Sequence, residues 1–152
     1  MLAFVLSLVT LFMAPTGLAV ATPAPATQQP VAASYDWMQG VWRTDALEMK
    51  CATTKSGLSC REEGTSDAMK GAIADLSFRT PIADQAGQLT VQLPSIPAST
   101  FVQVARADQA ATFEMKTKVG IARLRFTRSG DELLVQRGNA DGWATTMTYK
   151  KG

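Results

Sequence analysis

Few residues in this chain have the type and spacing to do chemistry. Two cysteines stand in "EMKCATTKSGLSCREE", at Cys51 and Cys60. A cysteine pair can be a structural bridge or a redox couple. A redox couple needs a thiol of lowered pKa, which a C-x-x-C arrangement at a helix start supplies and this wider spacing does not. A bridge needs only that the two side chains come opposite one another. A turn centred on Lys55-Ser56 does that on neighbouring strands, so a Cys51–Cys60 disulfide is expected. Histidine is absent. That removes Ser-His and Cys-His nucleophile pairs, His-ligated zinc and His-ligated haem. Glu62 and Glu63 are neighbours, so on a strand they point to opposite faces and form no dyad. "RGNADGW", from Arg137 to Trp143, holds an Asn-x-Asp-Gly fragment of a calcium loop without the remaining ligands or the closing Glu, and reads as a turn. There is no G-x-S-x-G and no Gly-rich phosphate loop. No catalytic residue, metal ligand or cofactor is therefore expected, and the chain reads as a non-enzyme.

The charge balance is 15 basic against 13 acidic residues, a formal +2. That is too small to point to a nucleic-acid partner. The start, "MLAFVLSLVTLFMAPTGLAVATPAPATQQP", reads as a targeting segment. An apolar run is broken by Pro15 and Gly17 and followed by Ala19-Val20-Ala21, the small-x-small form of a cleavage site. The run is shorter than the roughly 20 residues of a membrane span. It lacks the basic residues that normally precede it, and an uncleaved anchor is the alternative. Residues 1–21 are thus expected to be a signal peptide, residues 22–34 a flexible Pro/Ala-rich arm and residues 35–152 the domain. The expected location is periplasmic or secreted, with no membrane span after cleavage.

The domain reads as short alternating runs separated by Gly, Pro, Asp and Ser. Strands are predicted over Val41–Thr53, Leu58–Thr65, Ala72–Arg79, Gln88–Leu93 and Thr100–Ala105. Further strands are predicted over Ala111–Thr117, Gly120–Thr127, Glu132–Arg137 and Trp143–Lys150. The fold class is all-β: an antiparallel up-and-down barrel of about eight to ten strands, because closure removes exposed edges. With the turn at Ser129-Gly130, Phe126 faces Leu133, Leu124 faces Val135 and Ala122 faces Arg137. With Lys118-Val119 at the preceding turn, Met115 faces Ala122 and Glu114 faces Arg123. That pairing makes Arg123 and Arg125 solvent-facing strand charges rather than a phosphate clamp. The cysteine register places Glu62 opposite Met49. The inward set is Phe113, Met115, Leu124, Phe126, Leu133, Val135, Trp143, Met147, Tyr149 and one charge, Arg137. An inward arginine must find a carboxylate such as Glu62, snorkel to the rim, or anchor an acidic ligand.

"YDWMQGVWR" spends two tryptophans where the domain begins. Trp37, Gly40 and Trp42 form W-x-x-G-x-W, with one helical turn expected ahead of the first strand. This resembles the start of a calycin barrel, the superfamily of lipocalins and fatty-acid-binding proteins. The resemblance implies that Trp42 closes one barrel end, that Gly40 lets the chain pass closely there, and that a basic side chain of the last strand covers the tryptophan. Lys150 or Lys151 takes that place, where the family usually has Arg. The order of "WMQGVW", "VQLPSIPAST", "RSGDELLV" and "WATTMTYKK" is also similar to small exported bacterial domains of unknown function. Those carry an acidic, His- and Phe-containing turn where this chain has "EMKTKVGIAR". The fold hosts many functions. The expected partner is a small hydrophobic or amphipathic ligand held by Arg137, Phe126, Met115, Trp143, Met147 and Tyr149. The alternative is a protein partner, with the arm acting as in periplasmic protease inhibitors.

Overall fold

A computed structural model describes residues 34–152; the expected signal peptide and all of the arm but Ser34 lie outside the described residues. A 3₁₀ turn, Asp36–Met38, leads into ten strands. They are β1 (Gly40–Arg43), β2 (Leu47–Thr54), β3 (Gly57–Gly64), β4 (Gly71–Arg79) and β5 (Gln88–Gln92), then β6 (Ser99–Ala107), β7 (Ala110–Thr117), β8 (Gly120–Ser129), β9 (Glu132–Asn139) and β10 (Gly142–Lys151). Each strand pairs antiparallel with its chain neighbour, and β1 pairs with β10 to close the barrel. No helix among the described residues is long and apolar enough to cross a membrane.

Two-residue alternation drives these strands. In β4, Ala74, Leu76 and Phe78 are buried while Asp75, Ser77 and Arg79 are exposed. The apolar faces laid side by side are covered by curling the sheet on itself. The expected first strand is divided in two at Thr44. Its Oγ1 accepts from the backbone N–H of Ala46 at 3.2 Å and of Leu47 at 3.0 Å, a local bond that turns the chain.

The cysteine register holds. Cys51 faces Cys60, their sulfurs are bonded at 2.05 Å, and Met49 faces Glu62. The β7–β8 register holds too: Met115 faces Ala122, and Arg123 Nε donates to Glu114 Oε1 at 2.7 Å. The β8–β9 register differs from expectation. Gly130-Asp131 forms the turn, with Gly130 at φ 61°, so the positive φ falls on the first central residue, the position a II′ turn reserves for glycine. Phe126 therefore faces Val135, and Leu124 faces Arg137. A two-residue slip leaves every side chain on its expected face.

Candidate functional site

The barrel interior has a packed half and a hollow half. At the packed end Tyr35, Phe78, Phe113 and Phe126 form one cluster, with ring centroids 5.1–6.2 Å apart in tilted and edge-on pairs. The Tyr35 hydroxyl donates to Gln103 Oε1 at 2.6 Å. Burial pushes its ionisation up to about 12, against the opposing pull of Arg106. Trp42 is fully buried, and its indole N–H donates to the Met38 carbonyl at 2.7 Å. Trp37 packs against this core. Trp42 and the turn that carries Trp37 thus form a floor.

Two implied details of that floor are corrected. The cation over Trp42 is Arg128 of β8, with its guanidinium carbon 5.4 Å from the ring centroid. Arg128 also donates to the carbonyls of Trp37, at 2.9 Å, and Gly130, at 2.8 Å. Lys150 and Lys151 are exposed. Arg128 continues the inward series Leu124, Phe126 and arrives beneath the tryptophan; β10 ends level with Trp42, which pairs with Lys151. Gly40 is required by its backbone, at φ 123°, and not by crowding: a Cβ there would meet nothing within 4 Å.

Above Phe126 the interior opens into a chamber of about 150 Å³. Its wall is mostly aliphatic, from Met49 on β2 and Leu76 on β4 around to Leu124, Val135 and Met147. A β-bulge in β4 leaves Ile73 without a partner between the Glu63–Ala72 and Glu62–Ala74 pairs, and both Ile73 and Ala74 line the chamber. A second compartment of about 320 Å³ adjoins it, sharing Val91, Leu93, Leu124 and Arg137 and adding Ile96 and Pro97 from the β5–β6 loop.

Three polar side chains reach the chamber: Glu62, Tyr149 and Arg137. The Tyr149 ring is 2 % exposed, and its hydroxyl donates to Glu62 Oε1. Burial, then that hydrogen bond and the Glu62 charge, raise the Tyr149 ionisation far above the ordinary range, while Arg137 pulls the other way. Arg137 is exposed at the mouth. Among the described residues the ion pairs do not include a Glu62–Arg137 bridge. Glu62 is bonded to the tyrosine instead.

Phe126, Met147, Tyr149 and Arg137 therefore meet at one chamber as expected from sequence. Met115 packs against the core but does not line the chamber. Trp143 is turned away from it. A bulge between Trp143 and Thr145 shifts the β9–β10 register by one, so Trp143 pairs with Gly138 on the outer face. There the Arg125 guanidinium lies 4.3 Å from its ring centroid and donates to Gln136 at 2.8 Å. Arg125 and Arg123 are both engaged on the outer wall. Among the described residues no cluster of three or more Cys, Asp or Glu could hold a metal ion.

The arrangement can hold a small apolar body in the chamber and a polar head at Glu62, Tyr149 and Arg137. Comparison with protein-family models, curated proteins and solved structures found no match to the chain.

Proposed function

We propose that this protein is an exported, non-enzymatic, calycin-like barrel that binds a small amphipathic ligand in its hollow half. One observation carries the reading: half of the interior is packed by aromatic rings, while the other half is an apolar chamber lined by three polar groups, Glu62, Tyr149 and Arg137. That combination is the usual form of a small-molecule site. Volume limits the ligand. The inner chamber, about 150 Å³, matches engineered cavities that take a benzene ring, so it suits a short tail rather than a long chain. The disulfide supports an oxidising compartment, and with it the signal peptide read in residues 1–21. The arm-mediated inhibitor would be favoured by a barrel packed throughout, which this one is not.

The test is a titration with octanol or octanoate followed by methyl NMR. The Met147, Leu124 and Val135 methyls should shift, while those of Val102 and Val104, half-exposed on β6, stay fixed. Absence of shifts, or equal shifts on both walls, would defeat the reading.

A further inference from the structure

The mouth of the chamber is not built for a simple anion. Arg137 is the one cation among the lining residues, and no ion pair of the described residues includes it. Glu62 brings a carboxylate to the same chamber and commits only Oε1, to the Tyr149 hydroxyl. An ionised carboxylate accepts through both oxygens, at about four lone-pair positions. No buried side-chain oxygen of the described residues lacks a partner, so Oε2 is reachable from the chamber or its mouth. Tyr149 is itself buried and anchored, so its hydroxyl tethers the carboxylate in place.

A ligand therefore meets two opposite and incompletely paired charges, of which Glu62 is held in place by Tyr149. A fatty acid would gain Arg137 but set its carboxylate beside Glu62. An alkylamine would gain Glu62 but bring a second cation to Arg137. Each has one attraction and one repulsion. Only a head group carrying both signs uses both residues.

We infer, building on the binding function proposed above, that the ligand is a short-chain zwitterionic amphiphile. Its anionic oxygen group lies against the Arg137 guanidinium and its ammonium against the Glu62 carboxylate. Its tail fills the chamber between Leu76, Val91, Leu124 and Val135.

Isothermal titration calorimetry of the mature protein with three probes of equal chain length tests this: α-aminooctanoate, octanoate and octylamine. α-Aminooctanoate should bind about tenfold or more tightly than either single-charge probe, since a hydrogen bond to a charged group contributes at least that factor. Glu62→Gln keeps an acceptor for Tyr149 and so keeps the fold. It should weaken α-aminooctanoate about tenfold and tighten octanoate. Arg137→Gln should weaken both. If octanoate or octylamine binds as tightly as α-aminooctanoate, and Glu62→Gln leaves the order unchanged, the zwitterion is wrong and the amphiphile site stands. If none of the three binds, both fail.

Discussion

Ala74→Leu separates a chamber from a packed core by the sign of its effect. Ala74 is 6 % exposed, and its methyl group faces the chamber. At about 24 cal/mol per Å³, an empty volume of about 150 Å³ corresponds to roughly 3.6 kcal/mol of forgone packing. Leucine adds three carbon groups at about 0.8 kcal/mol each, or about 2.4 kcal/mol of burial. Fixing its rotamer takes back about 0.5–1 kcal/mol, leaving a net gain of about 1–2 kcal/mol. The same insertion into a filled core costs about 1–3 kcal/mol. Thermal unfolding followed by circular dichroism reads the difference as a rise in Tm of roughly 4–8 °C against a comparable fall. The variant should also lose affinity for octanol, because leucine occupies the tail site. A fall in Tm would refute the reasoning, as would a rise that left octanol affinity unchanged.

Four other outcomes follow from the closed end and the strand pairing. Replacing both Cys51 and Cys60 by Ser should lower stability by about 2.5 kcal/mol, the loop-closure value for a link of this span, measured as a shift in urea midpoint. Arg128→Leu removes two hydrogen bonds and the cation over Trp42, and should cost about 2 kcal/mol with a red shift of tryptophan emission. Lys150→Ala and Lys151→Ala should change stability by less than about 0.5 kcal/mol in the same assay. Stability should fall with rising pH between 10 and 12: the unfolded chain ionises Tyr35 near 10.0, the folded one holds the proton to about 12, and unfolding therefore releases it. The contribution is complete below pH 10, Tyr149 acts in the same direction, and Tyr35→Phe should flatten the slope of urea midpoint against pH.

Tight turns make two registers readable from the amino-acid order alone. Lys55-Ser56 and Lys118-Val119 each join runs of clear alternation, so the disulfide and the Glu114–Arg123 pair follow from counting outward from the turn. The same counting, carried on past Phe126, reaches Arg128 beneath the floor, whereas the calycin resemblance points to the last strand. Trp143 is beyond such counting, because one bulge inverts every face on its far side and an alternating run carries no mark of where it falls. The far wall, Leu76, Val91 and Leu93, sits on β4, β5 and the loop after it, joined by longer connections where no tight turn fixes the register. The hollow itself is a difference between the barrel's volume and the sum of its side chains, a global quantity that no local pattern encodes.

The most direct test of a ligand-holding barrel is native mass spectrometry of the protein, purified without detergent and repeated after organic extraction. The account predicts an added small-molecule mass that extraction removes, on a chain two hydrogens light for its disulfide. A bare chain before extraction, which also gains no mass when α-aminooctanoate, octanoate or octylamine is supplied, would contradict it.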